Sequence, residues 1–556
     1  MGAKMSEWVA YFGEEDSLNL GNEFIRTSFG TIIIQTNFGD NEDSFVTAND
    51  NWIVLLQGIV LNSRDLQNEW NAESLKSAFL TSLDEIGISK SINSLTGPFT
   101  GVIVEKNTRK IYAFANQTGD TAVFYNISGT FLLSNDFNLV WEIRYKKLKE
   151  HITFNNLAAK YMLTYGYMLD SSTFVNEICR ILPGEFIVYC SQDNKIEKYK
   201  YFTFPFYKRI INENDLIEEI DAKFRTAVNR CLEKDHQFGV KNHLIDVSGG
   251  FDSRMVNWVA RSLTDDPITN ICYSKKNERD EKYAFLVSKR LGNRFYFRAM
   301  DDADFLADID EIVTKNYGLG FYPAITAGNQ VLKSLNFNSE FGLEITGQVG
   351  DAILGSFDLE HGLAYYRNSQ TIKYNFECEN IDSDELEHEI MNFRGFMGCL
   401  STHLIRKNYT YTVSPFLDMD FFNLCLSIPA SYRKNHNLYY KWVKAKYPEA
   451  YKIPSTRAQT LFDRATHYSY RAIEQILYLM GIRKTNETSK GMNPLTTWYK
   501  EKISIRENIN TYWGGNKDIQ DSVINEMMNK MWNSPSFTDK AMALTVLSVL
   551  NNYFSN

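Results

Sequence analysis

Two short, glycine-rich segments carry the side chains best suited to chemistry in this chain. The first, Ser248–Ser253, reads SGGFDS and follows the apolar run His243–Val247, which has the length of a central parallel strand. Two glycines without a Cβ let the backbone turn sharply and approach a ligand closely. The helix predicted after the turn adds unpaired backbone N–H groups and the positive end of its dipole. The first segment is therefore predicted to bind a phosphate-like anion.

Polar groups inside the first segment extend this predicted anion site. Ser248 and Ser253 offer hydroxyl donors, and Gly249 and Gly250 bring the backbone close to the ligand. The carboxylate of Asp252 could hold a metal ion. An ordinary strand–helix turn is the simpler alternative, because short glycine-rich matches often arise by chance. The Lys-Ser/Thr ending of a Walker A loop is absent.

The second glycine-rich segment, Glu344–Gly355, reads EITGQVGDAILG and also begins as a short strand. Gly347 lies in its turn, and Asp351 supplies one acid. Since Mg²⁺ favours a few carboxylates together with phosphate oxygens, Asp252 and Asp351 are predicted to hold Mg²⁺ against the phosphates. Taken alone, Asp351 would more often be a turn or cap residue.

Strands and helices alternate around these segments. A helix predicted at Leu216–Leu232 leads into the first segment, which a strand at Pro267–Tyr273 and a helix at Glu281–Leu291 follow. This alternation predicts a doubly wound parallel sheet with its ligand at the carboxyl ends of the strands. The last stretch, Tyr468–Asn556, is predicted to form packing helices.

Strand-like segments dominate the chain before residue 207. Two helices are predicted among them, at Ala72–Ile86 and Leu157–Gly166, and strands with helices outside favour an α+β sandwich. The predicted strands are Thr31–Gln35, Trp52–Val60, Thr100–Glu105, Lys110–Phe114, Ala122–Tyr125 and Thr130–Ser134.

Length, composition and charge limit the classes of protein to which this chain can belong. A chain of 556 residues with 44% hydrophobic content should form at least two domains. The net charge of -9 argues against a general nucleic-acid binder. The seven cysteines lack zinc or disulfide spacing, and neither a signal peptide nor a membrane-spanning run is evident. We therefore expect a cytoplasmic protein without a nucleic-acid or membrane partner; a homodimer is compatible with the sequence.

These segments resemble, in order, the motifs of the asparagine synthetase superfamily. Ser248–Ser253 resembles the pyrophosphate loop of N-type ATP pyrophosphatases, and Glu344–Gly355 resembles the synthetase motif S-G-E-G-x-D-E-x-x-G-G. Val413–Asp418 (VSPFLD) matches the family's R-x-P-F-L-D. The resemblance implies ATP and Mg²⁺ as cofactors. It implies phosphate or nucleotide contacts at Val247, Ser248, Gly249, Gly250, Asp252, Ser253, Cys272, Tyr273 and Gly347.

The resemblance also implies a cation at the α-phosphate. Lys441 stands where synthetases keep a lysine, and Lys444 is the competing candidate; Arg433 and Arg457 are weaker ones. A lysine ammonium acts there as a movable point charge where charge builds on phosphorus. A surface lysine is the simpler alternative.

The first part of the chain resembles class II glutamine amidotransferase domains. Gln57–Asn62 looks like their NGEIYN segment, and Leu95–Phe99 with Ala113–Asp120 looks like L-x-G-x-F followed by A-R-D-x-x-G. The resemblance implies an α+β N-terminal-nucleophile-like sandwich over residues 1–207. An α/β doubly wound parallel-sheet ATP pyrophosphatase domain with extra helices follows over residues 212–556. The family's nucleophile is an N-terminal Cys, whereas the first cysteine here is Cys179, so glutaminase activity is predicted to be lost.

Two positions of the second segment depart from the family. Gln348 replaces one Glu and Ala352 another. In β-lactam synthetase the first position is a Tyr that works with a distant Glu, so Gln348 marks a catalytic position adapted to another amine. Glutamine cannot be a general base. Glu385, Glu387 and Glu389 lie where a base could sit, but are predicted to be surface helix charges.

The resemblance therefore implies an ATP-dependent ligase. It would adenylate a small-molecule or peptide carboxylate, release pyrophosphate, and pass the acyl group to an amine with release of AMP. Glutaminase-deficient relatives of this kind include β-lactam synthetase and lasso-peptide cyclases, and similar proteins look associated with natural-product, modified-peptide or polysaccharide biosynthesis. An ammonia-dependent asparagine synthetase and a noncatalytic nucleotide-binding relative are the alternatives.

Overall fold

The computed structural model describes residues 7–13, 24–27, 30–36, 42–205, 212–323, 328–335, 337, 340–355, 383–456, 492–515 and 521–554. Within these residues the chain forms two six-stranded antiparallel sheets, followed by one five-stranded parallel sheet. The predicted mixture of helices and sheets, including a parallel sheet, is therefore confirmed. The assignment to the two named folds stays a prediction, and the predicted boundary near 207–212 falls largely outside the described residues.

The antiparallel sheets are built from twelve strands. The first has the order β10-β8-β9-β1-β3-β2 and the second the order β12-β11-β7-β6-β5-β4. These strands are β1 Trp8–Gly13, β2 Phe24–Thr27, β3 Gly30–Thr36, β4 Phe45–Ala48, β5 Trp52–Gly58, β6 Phe99–Glu105, β7 Lys110–Ala115, β8 Phe124–Asn126, β9 Leu132–Ser134, β10 Ile178–Arg180, β11 Glu185–Cys190 and β12 Lys195–Lys200. Each predicted strand overlaps an observed one, but the pattern does not predict β1, β2, β4, β10, β11 or β12.

The two antiparallel sheets pack face to face. Alternate residues of one strand point to opposite faces, so Leu55 of β5 joins Trp8 of β1 in the core between the sheets. Its neighbour Leu56 packs on the other side against Phe79 of a helix. The predicted sandwich with helices outside is the observed arrangement of these layers.

The parallel sheet has the order β15-β14-β13-β16-β17. Its strands are β13 His243–Asp246, β14 Ile268–Ser274, β15 Arg294–Ala299, β16 Glu344–Ile345 and β17 Thr412–Val413. The chain adds β14 and β15 on one side of β13 and then returns to add β16 and β17 on the other. That reversal is the doubly wound topology expected from the alternating pattern.

Helices pack on the sheets and between the two parts of the chain, which are the amino-terminal part with the antiparallel sheets and the following part with the parallel sheet. The predicted helix at Leu216–Leu232 is longer, and Asn212 caps its start. Residues 468–491, part of the predicted helical tail, lie outside the described residues. The described α-helices are α1 Ser63–Glu69, α2 Leu75–Ile86, α3 Ile88–Asn93, α4 Phe137–Glu142, α5 Asn156–Tyr165, α6 Glu213–Gln237, α7 Asp252–Leu263, α8 Arg279–Leu291, α9 Ile309–Asn316, α10 Asn329–Ser334, α11 Gly350–Gly355, α12 Ser383–Ile390, α13 His403–Arg406, α14 Met419–Leu426, α15 Ala430–Arg433, α16 Asn437–Lys446, α17 Pro448–Lys452, α18 Leu495–Glu501, α19 Ile503–Gly514, α20 Ser522–Trp532 and α21 Phe537–Tyr553.

The last helix, α21, packs back on the first part of the chain. Leu544 and Leu547 share one buried cluster with Met162 of α5. At its end the Tyr553 hydroxyl donates to Asn138 Oδ1 at 2.6 Å. The carboxyl-terminal helices therefore complete a core to which both parts of the chain contribute. Within the described residues, no helix combines the length and apolar character needed to cross a bilayer.

A buried ion pair joins α6 to the amino-terminal layers. Lys234 Nζ lies 2.7 Å from Asp43 Oδ2, and both side chains are 1% exposed. Lys234 also donates to Ser63 Oγ at 2.9 Å, and the Val60 N–H donates to Asp43 Oδ2 at 2.9 Å. The Lys234 ammonium and the Asp43 carboxylate therefore each have a further hydrogen-bond partner in addition to one another, as a buried ion pair requires.

We predict that Asp43→Ala lowers the free energy of unfolding by about 3–5 kcal/mol, because it leaves the Lys234 ammonium buried without a counter-ion. Asp65→Ala is the matched control, since the Asp65 carboxylate is 57% exposed where it pairs with Arg230. Its loss should cost less than about 1 kcal/mol. Urea unfolding followed by circular dichroism measures both, and equal losses would contradict the prediction.

Candidate functional site

The candidate site lies where the order of the parallel strands reverses. β13 stands between β14 and β16, and ligands of open α/β sheets bind outside the carboxyl ends of the strands at such a point. The first segment leaves the carboxyl end of β13, and the second leaves that of β16. The two predicted chemical segments are therefore neighbours in space.

The first segment is a tight turn held by its own serines. The Ser248 N–H donates to Ser253 Oγ at 2.9 Å, and the two serine hydroxyls lie 3.0 Å apart. The Gly250 N–H donates to Ser248 Oγ at 3.2 Å. Asp252 opens α7 directly after this turn, as predicted.

A carboxylate already contacts the turn. The Gly249 N–H donates to Asp280 Oδ1 at 3.1 Å, and burial raises the pKa of Asp280. Since a carboxylate oxygen and a phosphate oxygen accept in the same way, the turn holds an anionic acceptor by its backbone. The sequence reasoning missed Asp280; an acid in the first turn of the helix after β14 was the available signal.

Gly347 brings the second segment against the first. A Cβ at Gly347 would lie 2.3 Å from the Ser253 backbone N and 2.6 Å from the Asp252 carbonyl carbon. Only glycine permits this approach. Asp351 lies in the first turn of α11, directly after this contact. The predicted metal-binding pair Asp252 and Asp351 thus lies on adjoining turns; its metal role stays a prediction.

Asp351 has a cation and a thiol nearby. Burial raises the pKa of the Cys399 thiol, Arg394 lowers it, and Asp351 raises it. Both charges therefore act on the same sulfur. Arg394 lies in the π-helical segment Met391–Gly398, which carries no recognisable motif, so the sequence reasoning did not select it.

The third segment, Val413–Asp418, closes the same side of the site. The Thr346 N–H donates to Val413 O at 2.8 Å, and Ser414 Oγ donates to Gln348 O at 2.9 Å. Asp418 ends the segment as a buried helix cap that accepts from Arg230 at 2.6 Å. All three motifs therefore meet at the carboxyl ends of β13, β16 and β17.

Gln348 links the site to the amino-terminal part of the chain. Its Oε1 faces His403 Nε2, and its Nε2 donates to Thr402 Oγ1 at 3.2 Å. The other ring nitrogen, His403 Nδ1, lies 3.3 Å from Asp120 Oδ2. Each ring nitrogen of His403 therefore faces a side-chain oxygen. His403 was not predicted, and no sequence signal marks it.

A small cavity opens beside Asp120, between the amino-terminal sheets and the third segment. Residues from the amidotransferase-like motif form one wall, and the synthetase-like segment forms the other. The lining residues are Leu61, Gly97, Pro98, Asn116, Gln117, Thr118, Asp120, Val413, Ser414, Leu417 and Met419. Both parts of the chain therefore line this cavity.

A buried charge cluster supports the sheet under the turns. Arg406 bonds to Glu344, donates to the Tyr273 hydroxyl at 2.6 Å, and lies 3.7 Å from Asp246 Oδ2. Burial, followed by the nearby charge of Glu344, raises the pKa of Asp246 well above its ordinary value. One arginine thus faces two carboxyl groups. This cluster was not predicted from the sequence.

Arg254 holds residues 450–456 against the Ser248–Ser253 turn. Its buried guanidinium donates to Ala450 O at 3.0 Å, Ile453 O at 2.7 Å and Pro454 O at 2.6 Å. The Thr456 N–H then donates to Gly249 O at 3.0 Å. The sequence reasoning treated Arg254 only as a residue of the helix.

The residues Val247, Cys272 and Tyr273, at which nucleotide contacts are predicted, lie in different surroundings. Val247 and Cys272 are buried in a small apolar cluster with Ala284. The Tyr273 side chain points to Arg406 instead. Contacts from the main chain of these residues stay a prediction.

The predicted cation Lys441 is held away from the turns. Its Nζ donates to Glu213 Oε2 at 2.6 Å, and both side chains are about two-fifths exposed. On the same helix, α16, the neighbouring ring of Tyr440 packs 5.4 Å from that of Phe251. The structure therefore does not bring the Lys441 ammonium to the first segment, and its catalytic role stays a prediction.

The prediction for Glu387 is wrong. Glu387 is buried rather than a surface charge, because Arg433 donates to both of its carboxylate oxygens, at 2.9 and 2.6 Å. Arg433 is itself 1% exposed and also donates to Ile353 O. Neither residue is available as a base or a phosphate contact. Arg457 and the side chain of Glu385 lie outside the described residues.

Comparison with known proteins gives two sequence relatives. No protein-family model matches the chain. It is 20% identical over 316 residues to a protein named glutamine-hydrolysing asparagine synthetase 2 in Methanocaldococcus jannaschii, with 55% of this chain and 59% of that protein covered. It is 21% identical over 312 residues to glutamine-hydrolysing asparagine synthetase 2 of Bacillus subtilis, with 52% and 39% covered. The chain thus spans about half the length of these relatives.

Solved structures add little to these matches. The B. subtilis glutamine phosphoribosylpyrophosphate amidotransferase covers 54% of this chain and 86% of its own, at 8% identity and a TM-score of 0.25. An NMN synthetase from Francisella tularensis covers 27% and 60%, at 16% identity and a TM-score of 0.18. At these TM-scores neither similarity carries an argument. The two sequence matches, at low identity, support membership of the chain in the asparagine synthetase superfamily.

Proposed function

We propose that this protein is an ATP-dependent ligase that joins a carboxylate to an amine through an acyl-adenylate. The observation that carries the proposal is the convergence of three motifs at one strand-order reversal. Gly347 meets Ser253 there, and Ser414 meets Gln348. The names of the two sequence relatives, both asparagine synthetases, support the same class of reaction.

In the first step a carboxylate oxygen attacks the α-phosphorus of ATP. A new O–P bond forms, the bond to the β,γ-phosphates breaks, and pyrophosphate leaves. The turn Ser248–Ser253 is suited to the leaving pyrophosphate, because its glycine N–H groups and serine hydroxyls are donors near a helix start. Asp280 must release the Gly249 N–H when a phosphate oxygen takes its place.

Asp252 and Asp351 fit a magnesium ion. Both are carboxylates in the first turns of helices whose starts adjoin, and hard oxygen donors suit Mg²⁺. When bound, the ion would neutralise charge on the phosphates.

In the second step the amine nitrogen attacks the acyl carbon. The carbon–oxygen bond to AMP breaks, and the nitrogen loses a proton to solvent, because Gln348 cannot accept one. Gln348 acts as a hydrogen-bonding group whose orientation Thr402 and His403 fix. His403 is a positioning residue, and Asp120 holds it in turn.

Glutamine is not the proposed nitrogen source. At the start of β1 the Trp8 indole is fully buried, and its Nε1 donates to Thr100 Oγ1 at 3.2 Å. The Trp8 backbone is tied to Asn135 and Ser134. The strand start therefore presents a packed indole, and we propose a free or substrate-borne amine as the nitrogen source. Natural-product, modified-peptide or polysaccharide biosynthesis would supply such a substrate pair.

A noncatalytic nucleotide-binding protein is the second candidate. The pairing of Lys441 with Glu213 favours it, because the cation that the family resemblance assigns to the α-phosphate is engaged elsewhere. Nucleotide binding without pyrophosphate release would distinguish this candidate from the ligase.

We predict pyrophosphate release from Mg·ATP with at least one member of a carboxylate panel that includes aspartate with ammonium. Asp252→Asn and Asp351→Asn should each lower the rate about 100-fold or more, because a charge that stabilises the transition state is lost. Asp193→Asn, at an exposed position, is the control and should leave the rate unchanged. A coupled assay for pyrophosphate measures the rate of release in each variant. No release with any acid would remove the ligase proposal, and turnover with aspartate and ammonium would favour an asparagine synthetase.

We predict that Gly347→Ala weakens ATP binding at least about tenfold, which corresponds to about 1.4 kcal/mol. The added Cβ would lie 2.3 Å from the Ser253 backbone N and must push the two turns apart. Gly514→Ala is the control, since nothing lies within 4 Å of its Cβ position. Titration calorimetry measures both affinities. Wild-type affinity in Gly347→Ala would mean that this contact does not shape the nucleotide site.

His403→Gln should separate the two steps. Amide formation is expected to fall about 10–100-fold, because a misplaced positioning group costs this much. ATP–pyrophosphate exchange, which needs only the first step, should stay near wild type. Asp120→Asn should act in the same direction. The control is His388→Gln, a buried histidine that stacks on Phe204 at 4.8 Å. Equal losses in both steps would indicate a purely structural role for His403.

A further inference from the structure

Three side chains of metal-ligand type meet at the amino end of the parallel sheet. His236 lies in the last turn of α6, His243 opens β13, and Asp266 lies in the turn before β14. One ligand atom from each lies within 4.8 Å of the others. His236 Nε2 is 2.7 Å from Asp266 Oδ2, and His243 Nε2 is 3.9 Å from the same oxygen.

A buried carboxylate sets the tautomer of His243. Both His243 and Asp235 are fully buried, and His243 Nδ1 lies 2.8 Å from Asp235 Oδ2. The other oxygen of Asp235 accepts the Leu343 N–H at 2.7 Å. Because an ionised carboxylate only accepts, Nδ1 carries the ring proton and Nε2 keeps its lone pair. This carboxylate–histidine arrangement is the one that orients a metal-binding imidazole.

The lone pair of His243 Nε2 has no hydrogen-bond partner among the described residues. It is buried and faces the carboxylate of Asp266 at 3.9 Å. Two acceptor atoms that face each other at this distance repel unless a cation lies between them. Leaving a buried polar atom unpaired costs about 1–3 kcal/mol. The arrangement therefore favours a bound cation.

The neighbouring cation does not fill this role. Arg261 of α7 donates to the backbone carbonyls of Thr264 and Asp266 rather than to the Asp266 carboxylate. In the described part of the chain, the ion-pair partners recorded for that carboxylate are His236 and His243 alone.

We propose that His236, His243 and Asp266 bind one zinc ion, with water as the fourth ligand. Two imidazole nitrogens and one carboxylate oxygen form a donor set that Zn²⁺ prefers, whereas Mg²⁺ and Ca²⁺ take oxygen ligands. The ion would join the end of α6, the start of β13 and the turn before β14. Because β13 runs from His243 to the first segment at its other end, this site is separate from the proposed nucleotide site.

The test measures zinc on the full chain. The protein is stripped with a chelator, reloaded with Zn²⁺ and dialysed, and bound zinc is counted by mass spectrometry. We expect one zinc per chain and a higher thermal unfolding midpoint, because binding to the native state alone stabilises it. Co²⁺ in place of Zn²⁺ should give the visible absorption of a four-coordinate nitrogen and oxygen site.

His236→Gln and Asp266→Asn are the informative variants, since both side chains are partly exposed and their loss should leave the fold intact. Each should weaken zinc binding by at least about tenfold. His151→Gln removes an exposed histidine elsewhere and should bind zinc like the wild type. Zinc binding equal in His236→Gln and the wild type, or no zinc retained by the wild type, would overturn the proposal. Neither readout depends on ATP or on catalysis.

Discussion

The ion pair between Lys234 and Asp43 is the interaction on which the arrangement of the two parts of the chain depends. Burial raises the pKa of Asp43 although Lys234 lowers it, so the cost of desolvation outweighs the attraction. Such a pair adds little net stability, but it penalises every arrangement that leaves one charge unpaired. It fixes α6 against the amino-terminal sheets, and α6 leads directly into β13. The position of the first glycine-rich turn therefore follows from a contact on the far end of the sheet.

The amino-terminal layers do more than hold α6. Through Asp120 they reach His403, and through His403 they reach Gln348 in the second segment. The amino-terminal part of the chain thus contributes the Asp120 carboxylate to the site in the other part. This contact gives a physical reason for the close association of the two parts, and the cavity beside Asp120 lies along the same boundary.

Local pattern predicts those features that depend on neighbours in sequence. The strand, turn and helix around Ser248–Ser253 and the close approach at Gly347 follow from apolar runs and glycines. Motif order selected Lys441 but could not give the direction of its side chain, which depends on Glu213, 228 residues away. Glu387 has the sequence pattern of an exposed helix acid, and only its pairing with Arg433 makes it buried. Contacts between distant residues decide these cases.

The packing of α21 on the first part of the chain has a consequence for protein synthesis. Tyr553 bonds to Asn138 across 415 residues, and α21 fills a cluster shared with α5. At typical translation speeds the ribosome needs about 20–80 s to cover that separation. During this time the apolar surface around Met162 stays exposed, because α21 has not yet been synthesised. The first part of the chain therefore emerges with an uncovered core and depends on chaperones, or on the completed chain, to finish folding.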